Sequence, residues 1–306
     1  MGVDKLYKLV VKEEVVDGVK KRTTINDLAR EVTLNEFSGD TLCFDASYII
    51  YQSILAMSHV DALTDEDGNT TGHINTIFNK IVMFARHDIK QVWVFDNPKP
   101  NPIKEEENAR REKERAKRKT DKGRFKMTSK HVIDIIELLK CMGMPYIIAP
   151  EGFEAEHYGA VMCAKGICRA MVSNDSDILM WGTQLKREKK GKKVIYKMIS
   201  NKQILLESGL TQEEFITICI ALGTDFAPKI KGVGPVTAIK KLSKLKLTPR
   251  QEEAKQYILS KLPKNASDFH CETFDKDKLL EYLLKFNFNK IRAEKGINII
   301  KEKYFS

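Results

Sequence analysis

Thr41-Leu42-Cys43-Phe44-Asp45 and Gln91-Val92-Trp93-Val94-Phe95-Asp96 are two short apolar runs that each end on an aspartate. A third run, Pro145-Tyr146-Ile147-Ile148-Ala149, leads to Glu154 and Glu156. A fourth, Cys168-Arg169-Ala170-Met171-Val172, leads to Asp175 and Asp177. Runs of this length without alternation read as strands buried on both faces, as in a parallel sheet. Helical periodicity fills the intervals, over 47–56, 73–84, 128–141 and 153–164. Strand alternating with helix predicts an α/β chain with a doubly wound, mainly parallel sheet. Ligands bind such sheets beyond the carboxyl ends of the strands, which is where these acids fall. One aspartate after a strand is ordinarily a helix cap or a turn residue. Six carboxylates at four strand ends exceed what capping explains.

Beyond residue 199 the pattern turns helical, over 203–207, 212–222 and 236–242, which predicts a helical subdomain on the flank of the sheet. Two segments are strongly charged. Residues 104–130 hold twelve Lys/Arg and six Asp/Glu with few apolar anchors. Burial cannot repay the entropy of ordering such a segment until its charge is screened. The run Lys186-Arg187-Glu188-Lys189-Lys190-Gly191-Lys192-Lys193 leads into Val194-Ile195-Tyr196 and reads as a solvated hairpin loop. A nuclear-import reading of the same run is unspecific.

The 306 residues carry 52 Lys+Arg against 42 Asp+Glu, a formal charge of +10, with 42% apolar residues. Length and apolar content predict a folded, basic chain of one large domain or two small ones. No apolar run approaches the ~20 residues of a membrane span, and the start lacks the basic-then-apolar pattern of a secretion signal. A soluble intracellular protein is the expectation. Met1-Gly2 invites myristoylation, but that motif wants Ser or Thr where Leu6 stands. The six cysteines form no Cys-x-x-Cys pair, so they are expected to be reduced, buried small hydrophobes; the six histidines show no ligand spacing.

Asp225, in Leu222-Gly223-Thr224-Asp225, brings the acids to seven: Asp45, Asp96, Glu154, Glu156, Asp175, Asp177 and Asp225. Gathering that much negative charge is unfavourable unless cations neutralise it. An all-oxygen set suits Mg²⁺, with Mn²⁺ able to substitute, and two ions about 4 Å apart suit phosphodiester hydrolysis. An acidic metal site on a basic chain points to a polyanionic substrate. Glu154 and Glu156 would diverge by about 200° within a helix, so they can share a metal only if Glu154 lies in the first turn or before it.

These residues, as Phe44-Asp45-Ala46-Ser47, Val94-Phe95-Asp96, Glu154-Ala155-Glu156, Asn174-Asp175-Ser176-Asp177 and Leu222-Gly223-Thr224-Asp225 followed by Gly232-Val233-Gly234-Pro235, closely resemble the flap endonuclease/XPG family of structure-specific 5′ nucleases. The likeness runs in order from Met1-Gly2-Val3 to Ile291-Arg292. It implies a PIN-like α/β sheet, a helical arch and a C-terminal helix-two-turn-helix subdomain. The organisation expected is a nuclease domain in two parts (1–103 and 131–200), a basic arch (104–130) and a helical DNA-binding subdomain (201–306). The activity implied is divalent-metal-dependent cleavage of branched DNA near single-strand/duplex junctions, in replication, repair or recombination, by a monomer using two Mg²⁺.

On the residues alone, Lys231-Gly232-Val233-Gly234-Pro235 is a tight turn before a helix, weak evidence for phosphate binding. Family resemblance implies that Gly232, Gly234, Lys229, Lys231, Lys240 and Lys241 grip duplex DNA, with K⁺ held by the turn's carbonyls. Lys104 and Arg111, seven apart, share a helix face, for which a solvated charged helix is the simpler reading. Resemblance makes them the cationic pair on the scissile phosphate. Tyr51 matches a base-stacking tyrosine, with a core tyrosine equally compatible, and Gly2 matches a start that lies against the site. The chain also departs from the family: the arch is short and uncapped, and the stretch 12–40 is longer than in cellular members. The tail ends in Tyr304-Phe305 with no Gln and with Lys301 where a sliding-clamp motif needs an aliphatic residue, so clamp binding through it is not expected. The short arch leaves a Holliday-junction-resolving or 5′-exonuclease member as an alternative, an RNA-directed nuclease as another. A non-catalytic DNA-binding scaffold would show eroded acids, and all seven are present.

Overall fold

The computed structural model describes residues 2–57, 71–99, 101–105, 109–110, 113, 127–260 and 269–305. Arg111 and most of the expected arch lie outside the described residues. The strands are β1 (Val10–Val16), β2 (Val19–Thr24), β3 (Arg30–Val32), β4 (Thr41–Asp45), β5 (Lys90–Phe95), β6 (Tyr146–Ile148), β7 (Ala170–Val172), β8 (Thr183–Lys190) and β9 (Lys193–Ser200). The α-helices are α1 (Ala46–Met57), α2 (Gly72–Arg86), α3 (Ser129–Cys141), α4 (Ala155–Ala164), α5 (Asn201–Ser208), α6 (Gln212–Leu222), α7 (Pro249–Ser260), α8 (Lys276–Lys285) and α9 (Lys290–Tyr304). The fold is mixed α/β with a mostly parallel sheet, and it forms two compact units. No helix among the described residues is long and apolar enough to cross a membrane.

The first unit takes Met1–Val32, Asn97–Lys117 and Pro150–Ala266. β7 runs parallel to β8, and β8, β9 and β3 continue antiparallel. β1 and β2 form a separate hairpin closed by Asp17-Gly18, both at positive φ (53° and 77°), as a two-residue I′ turn requires. Helix α6 starts on a capping box in which the Thr211 hydroxyl accepts the Glu214 N–H and the Glu214 carboxylate accepts the Thr211 N–H. It buries Phe215, Ile216, Cys219 and Ile220 in the core of this unit. The helix expected over 236–242 is a 3₁₀ helix, Ile239–Lys244. The Lys241 N–H is shared between the Thr237 and Ala238 carbonyls (3.0 and 3.2 Å), and β-branched Val236 and Thr237 disfavour a regular first turn. The basic run 186–193 is not a loop: only Gly191 and Lys192 turn, and the rest extends β8 and β9. Glu188 neutralises part of its charge, pairing with Lys186 along β8 (2.9 Å) and with Lys197 across on β9 (3.0 Å).

The second unit takes Thr33–Asp96, Arg118–Ala149 and Ser267–Ser306. Here β4, β5 and β6 lie parallel in that order, with Asp45 opposite Val94. Phe44 stacks on Trp93 (centroids 5.0 Å) and meets Phe84 edge-on at 4.8 Å, all three wholly buried. Helix α9 crosses α2 at Gly296, where an added Cβ would come within 2.6 Å of the Phe78 ring. The Tyr304 hydroxyl donates to the Ile89 carbonyl at 2.6 Å and accepts from Gln91, and Phe305 stacks on Phe274. The tail aromatics are thus spent within their own unit. Helices after residue 201 are divided between the units. The cysteines are all thiols, but only four are buried: Cys163, in the last turn of α4, is half-buried, and Cys271, outside any helix or strand, is exposed.

Candidate active site

Five of the seven acids lie in the first unit. Glu154 is the N-cap residue of α4, with extended backbone (φ −118°, ψ 161°), and Glu156 falls in the first turn. The divergence of a mid-helix pair therefore does not apply to them. β7 delivers the next two acids. Asp175 caps a short 3₁₀ helix, Ser176–Met180, by accepting the Asp177 N–H at 3.0 Å. Its backbone is fixed on both sides: its N–H donates to Ser173 Oγ at 3.1 Å, and its carbonyl accepts from Gln184 at 2.6 Å. Gln184 is itself held by the Tyr7 hydroxyl, which donates to Oε1 at 2.7 Å. Burial raises the pKa of both carboxyls, and for Asp177 the charge of Asp175 adds to it. Oδ1 of Asp177 is buried with no hydrogen-bond partner among the described residues. Such an oxygen is costly to bury, and a divalent cation satisfies it.

Lys104 is a cation that lies among these acids. Its Nζ stands 2.5 Å from Glu154 and 3.7 Å from Asp225, with 13% of the side chain exposed, and lies 4.6 Å over the Phe226 ring. Burial works against its charge, but Glu154, Glu156, Asp225 and Asp177 outweigh it and hold the ammonium protonated. A set of residues that sequence pattern did not single out positions it. Asn101 accepts the Ile103 N–H at 3.3 Å, and its amide donates to the Tyr257 hydroxyl at 2.6 Å. Tyr257 donates to the Gly152 carbonyl, and Arg250 to that of Ile103. His157, on α4, is buried beside Phe226 and Tyr257 (ring centroids 5.7 Å from each), and burial followed by the Lys104 charge lowers its pKa to about 3. Only Asn101 carried a signal, as a cap before Pro102.

Gly2 lies against the same acids. At φ 90°, a Cβ added there would stand 2.2 Å from Asp175 Oδ1 and 2.5 Å from Ser176 Oγ. Further along the unit, the Gly232 carbonyl, at a residue with φ 80°, accepts the Lys241 ammonium at 2.9 Å. Gly234 starts the following turn by accepting the Ala238 N–H at 2.9 Å. Lys240 pairs with Glu13 (2.6 Å), and Lys229 stands 3.8 Å from Asp4. Lys231 is exposed.

Asp45 and Asp96 belong to the second unit, at the carboxyl ends of the neighbouring parallel strands β4 and β5. Asp45 is buried and caps α1 by accepting the Tyr48 N–H at 2.9 Å; Asp96, just past β5, is exposed. Tyr51, on α1, is 40% exposed, which is not the burial of a core tyrosine. Among the described residues no group of three His, Cys, Asp or Glu forms a ready metal nest. In the first unit, Lys104 lies on one oxygen of Glu154 and near one oxygen of Asp225.

An XPG N-terminal domain matches residues 1–118, and an XPG I-region matches 143–225. Flap endonuclease 1 of Entamoeba dispar is 32% identical over 313 residues, covering 89% of this chain and 83% of that protein. The chain belongs to the flap endonuclease/XPG family. Flap endonuclease 1-1 of Paramecium tetraurelia is 34% identical over 241 residues, 71% of this chain, and the chain spans 61% of that relative's length. Among solved structures, flap endonuclease-1 from Methanococcus jannaschii superposes with a TM-score of 0.72 at 23% identity, covering 90% of this chain and 96% of that one. The catalytic core of Rad2 in complex with DNA substrate gives 0.68 at 21%, covering 90% and 97%. These two likenesses establish the fold. The two stretches matched to the family domains contain all seven acids, Lys104 and Gly2.

Proposed function

We propose that this family member is a structure-specific 5′ nuclease that hydrolyses phosphodiesters of branched, 5′-flap DNA near the single-strand/duplex junction, at sites of DNA replication, repair or recombination. The observation that carries the reading is the half-buried Asp175/Asp177 pair, with a buried, unpartnered oxygen on Asp177, beside Glu154 and Asp225 neutralised by a lysine. An all-oxygen donor set of this kind fits two Mg²⁺, with Mn²⁺ as substitute. In the first unit the proposed ligands are Glu154, Glu156, Asp175, Asp177 and Asp225; Asp45 and Asp96 are the carboxylates of the same proposed donor type on the second unit. Bound there, the ions supply a water nucleophile at neutral pH and a counter-charge for the leaving oxygen.

The chain's own residues do the rest. Asp175 and Ser173 fix the loop after β7, so its carboxylates hold position without rearranging. Lys104 offers donors to a phosphate oxygen once Glu154 is otherwise neutralised, and Arg111 is its proposed companion. Gly2 lets the chain's start pass Asp175 without filling the space before it. Lys229, Lys231, Gly232, Gly234, Lys240 and Lys241 hold duplex phosphates, the carbonyls of this turn would hold K⁺, and Tyr51 stacks on a base.

The test is a single-turnover panel in Mg²⁺: 5′ flap, four-way junction, nicked duplex, single strand and RNA flap. The expected result is fastest cleavage of the 5′ flap, lost in Asp177→Asn. Fastest cleavage of the junction or of RNA returns the chain to the junction-resolving or RNA-directed reading, and an Asp177→Asn protein with normal turnover sinks the metal assignment.

A further inference from the structure

We infer that the β1–β2 hairpin is an additional phosphate-binding surface for duplex DNA, continuous with the basic turn at Gly232–Lys241. The inference rests on the nuclease reading and adds a contact to it. The hairpin is joined to that turn by two separate bonds. The Val10 N–H, at the start of β1, donates to the Pro235 carbonyl at 3.2 Å. Glu13, three residues on, accepts from Lys240 at 2.6 Å and from Arg22, across the hairpin, at 2.7 Å.

The strand register separates the two faces. Glu13 pairs with Arg22 and Val15 with Lys20, so these four share one face; Lys12, Thr23, Glu14, Lys21, Val16 and Val19 share the other. On the second face Lys12 is ion-paired with Glu14, which Lys21 also stabilises in its charged form. That face carries one positive charge in excess, Lys12 and Lys21 against Glu14. On the first, Lys20, Arg22 and Lys240 face one carboxylate, Glu13, leaving two positive charges in excess. All of them are exposed: Arg22 and Lys240 keep 49% and 56% of their side-chain area, and Lys20 is open to solvent. Arg22 and Lys20 are two strand residues apart, about 7 Å, which matches two base-pair rises of a duplex strand. Val15, 69% exposed on the same face, has the size and chemistry to lie against deoxyribose. A basic, exposed strip tied by its own acid to a proposed phosphate-binding turn complements a polyanion, not an acid-free apolar partner.

The experiment is fluorescence anisotropy of the full chain in EDTA, on a duplex and on a single strand of equal length, across a salt series. Lys20→Ala should weaken duplex binding about 3- to 10-fold, lower the slope of log Kd against log salt by about 1, and leave single-strand binding unchanged. Lys21→Ala, on the opposite face, should change duplex binding less than 2-fold. Equal losses for the two variants would show a general charge effect and overturn the inference, as would an unchanged slope for Lys20→Ala. If the unsubstituted chain binds and cuts DNA while Lys20→Ala matches it throughout, only the hairpin assignment fails; a chain that binds no duplex sinks the nuclease reading with it.

Discussion

Lys104→Met removes a single charge from a nearly buried cluster while keeping most of the side chain's volume. In the ligand-free chain this ammonium lies on Glu154 and near Asp225, with 13% of its side chain exposed. Removing one partner of a buried ion pair leaves the other charges uncompensated, at a cost of about 3–5 kcal/mol. The carboxyls can recover part of that by taking up protons, so the lower figure is the safer expectation. At roughly 2–4 °C per kcal/mol, the melting temperature in EDTA should fall about 6–12 °C. Divalent ions reverse the sign of the argument. With the ammonium gone, an ion binding Glu154 and Asp225 no longer displaces a cation, so Mg²⁺ should stabilise the variant more than the unsubstituted protein. An ion at 100 times its Kd contributes about 2.7 kcal/mol, and the variant should reach that at lower concentration. Differential scanning fluorimetry in EDTA and across a Mg²⁺ titration measures both effects. Equal melting temperatures in EDTA, or superimposable Mg²⁺ titrations, would refute the assignment of Lys104 as counter-ion of the acids.

Asp177→Asn replaces a carboxylate that burial and Asp175 disfavour by a neutral isostere, so it should raise the melting temperature in EDTA by a few degrees while abolishing cleavage. Gly2→Ala drives a Cβ into Asp175 Oδ1; single-turnover cleavage should fall about 100-fold with global stability barely moved, since only the first residues must shift. His157 gives a pH signature: its folded pKa is lowered to about 3, so only the unfolded chain takes up the proton as pH falls below 6.5. Stability should therefore be complete above pH 6.5 and decline by up to a few kcal/mol between pH 6.5 and 3, less steeply in His157→Gln, as urea midpoints across that range will show.

The parallel strands and the acids after them were readable because their signals are local. Short apolar runs alternating with helical periodicity mark the strands, and although one acid beyond a strand can be a cap, as Asp45 and Asp175 are, six acids at four strand ends exceed that use. Helix α6 was legible from its helical pattern over 212–222, and its ends are fixed by equally local groups, the Thr211/Glu214 capping box and Gly223. The β1–β2 hairpin carried an equally local signal, Asp17-Gly18 between Val16 and Val19, hidden by flanking charges that suggest a loop. The run 186–193 misleads in the same way: strands open to solvent on both faces need not alternate, so charge does not distinguish them from coil. The setting of Lys104 was beyond sequence for a different reason. Asn101 meets Tyr257 across 156 residues, and Lys104 meets Glu154 across 50, and no periodicity encodes such pairings.

That setting has a consequence for the order of events. Asn101, Tyr257 and Arg250 hold the backbone just before Lys104, so its ammonium can leave Glu154 only by rotating its own side chain. While it neutralises the acids it donates less to a phosphate, and it is released when another cation takes over the carboxylates. Divalent-ion binding and phosphate binding are then positively coupled through one side chain. Couplings of this kind are typically about 1–3 kcal/mol, a 5- to 150-fold change in affinity, and they are reciprocal. Titrating Ca²⁺ into a mixture of the protein and a labelled 5′ flap should tighten DNA binding by a factor in that range. The same DNA should tighten Ca²⁺ binding equally. In Lys104→Met the factor should shrink toward what simple neutralisation of the acids provides, because nothing is left to transfer from carboxylate to phosphate. An undiminished Ca²⁺ effect in that variant would show that the coupling runs through the acids alone and that Lys104 takes no part in it.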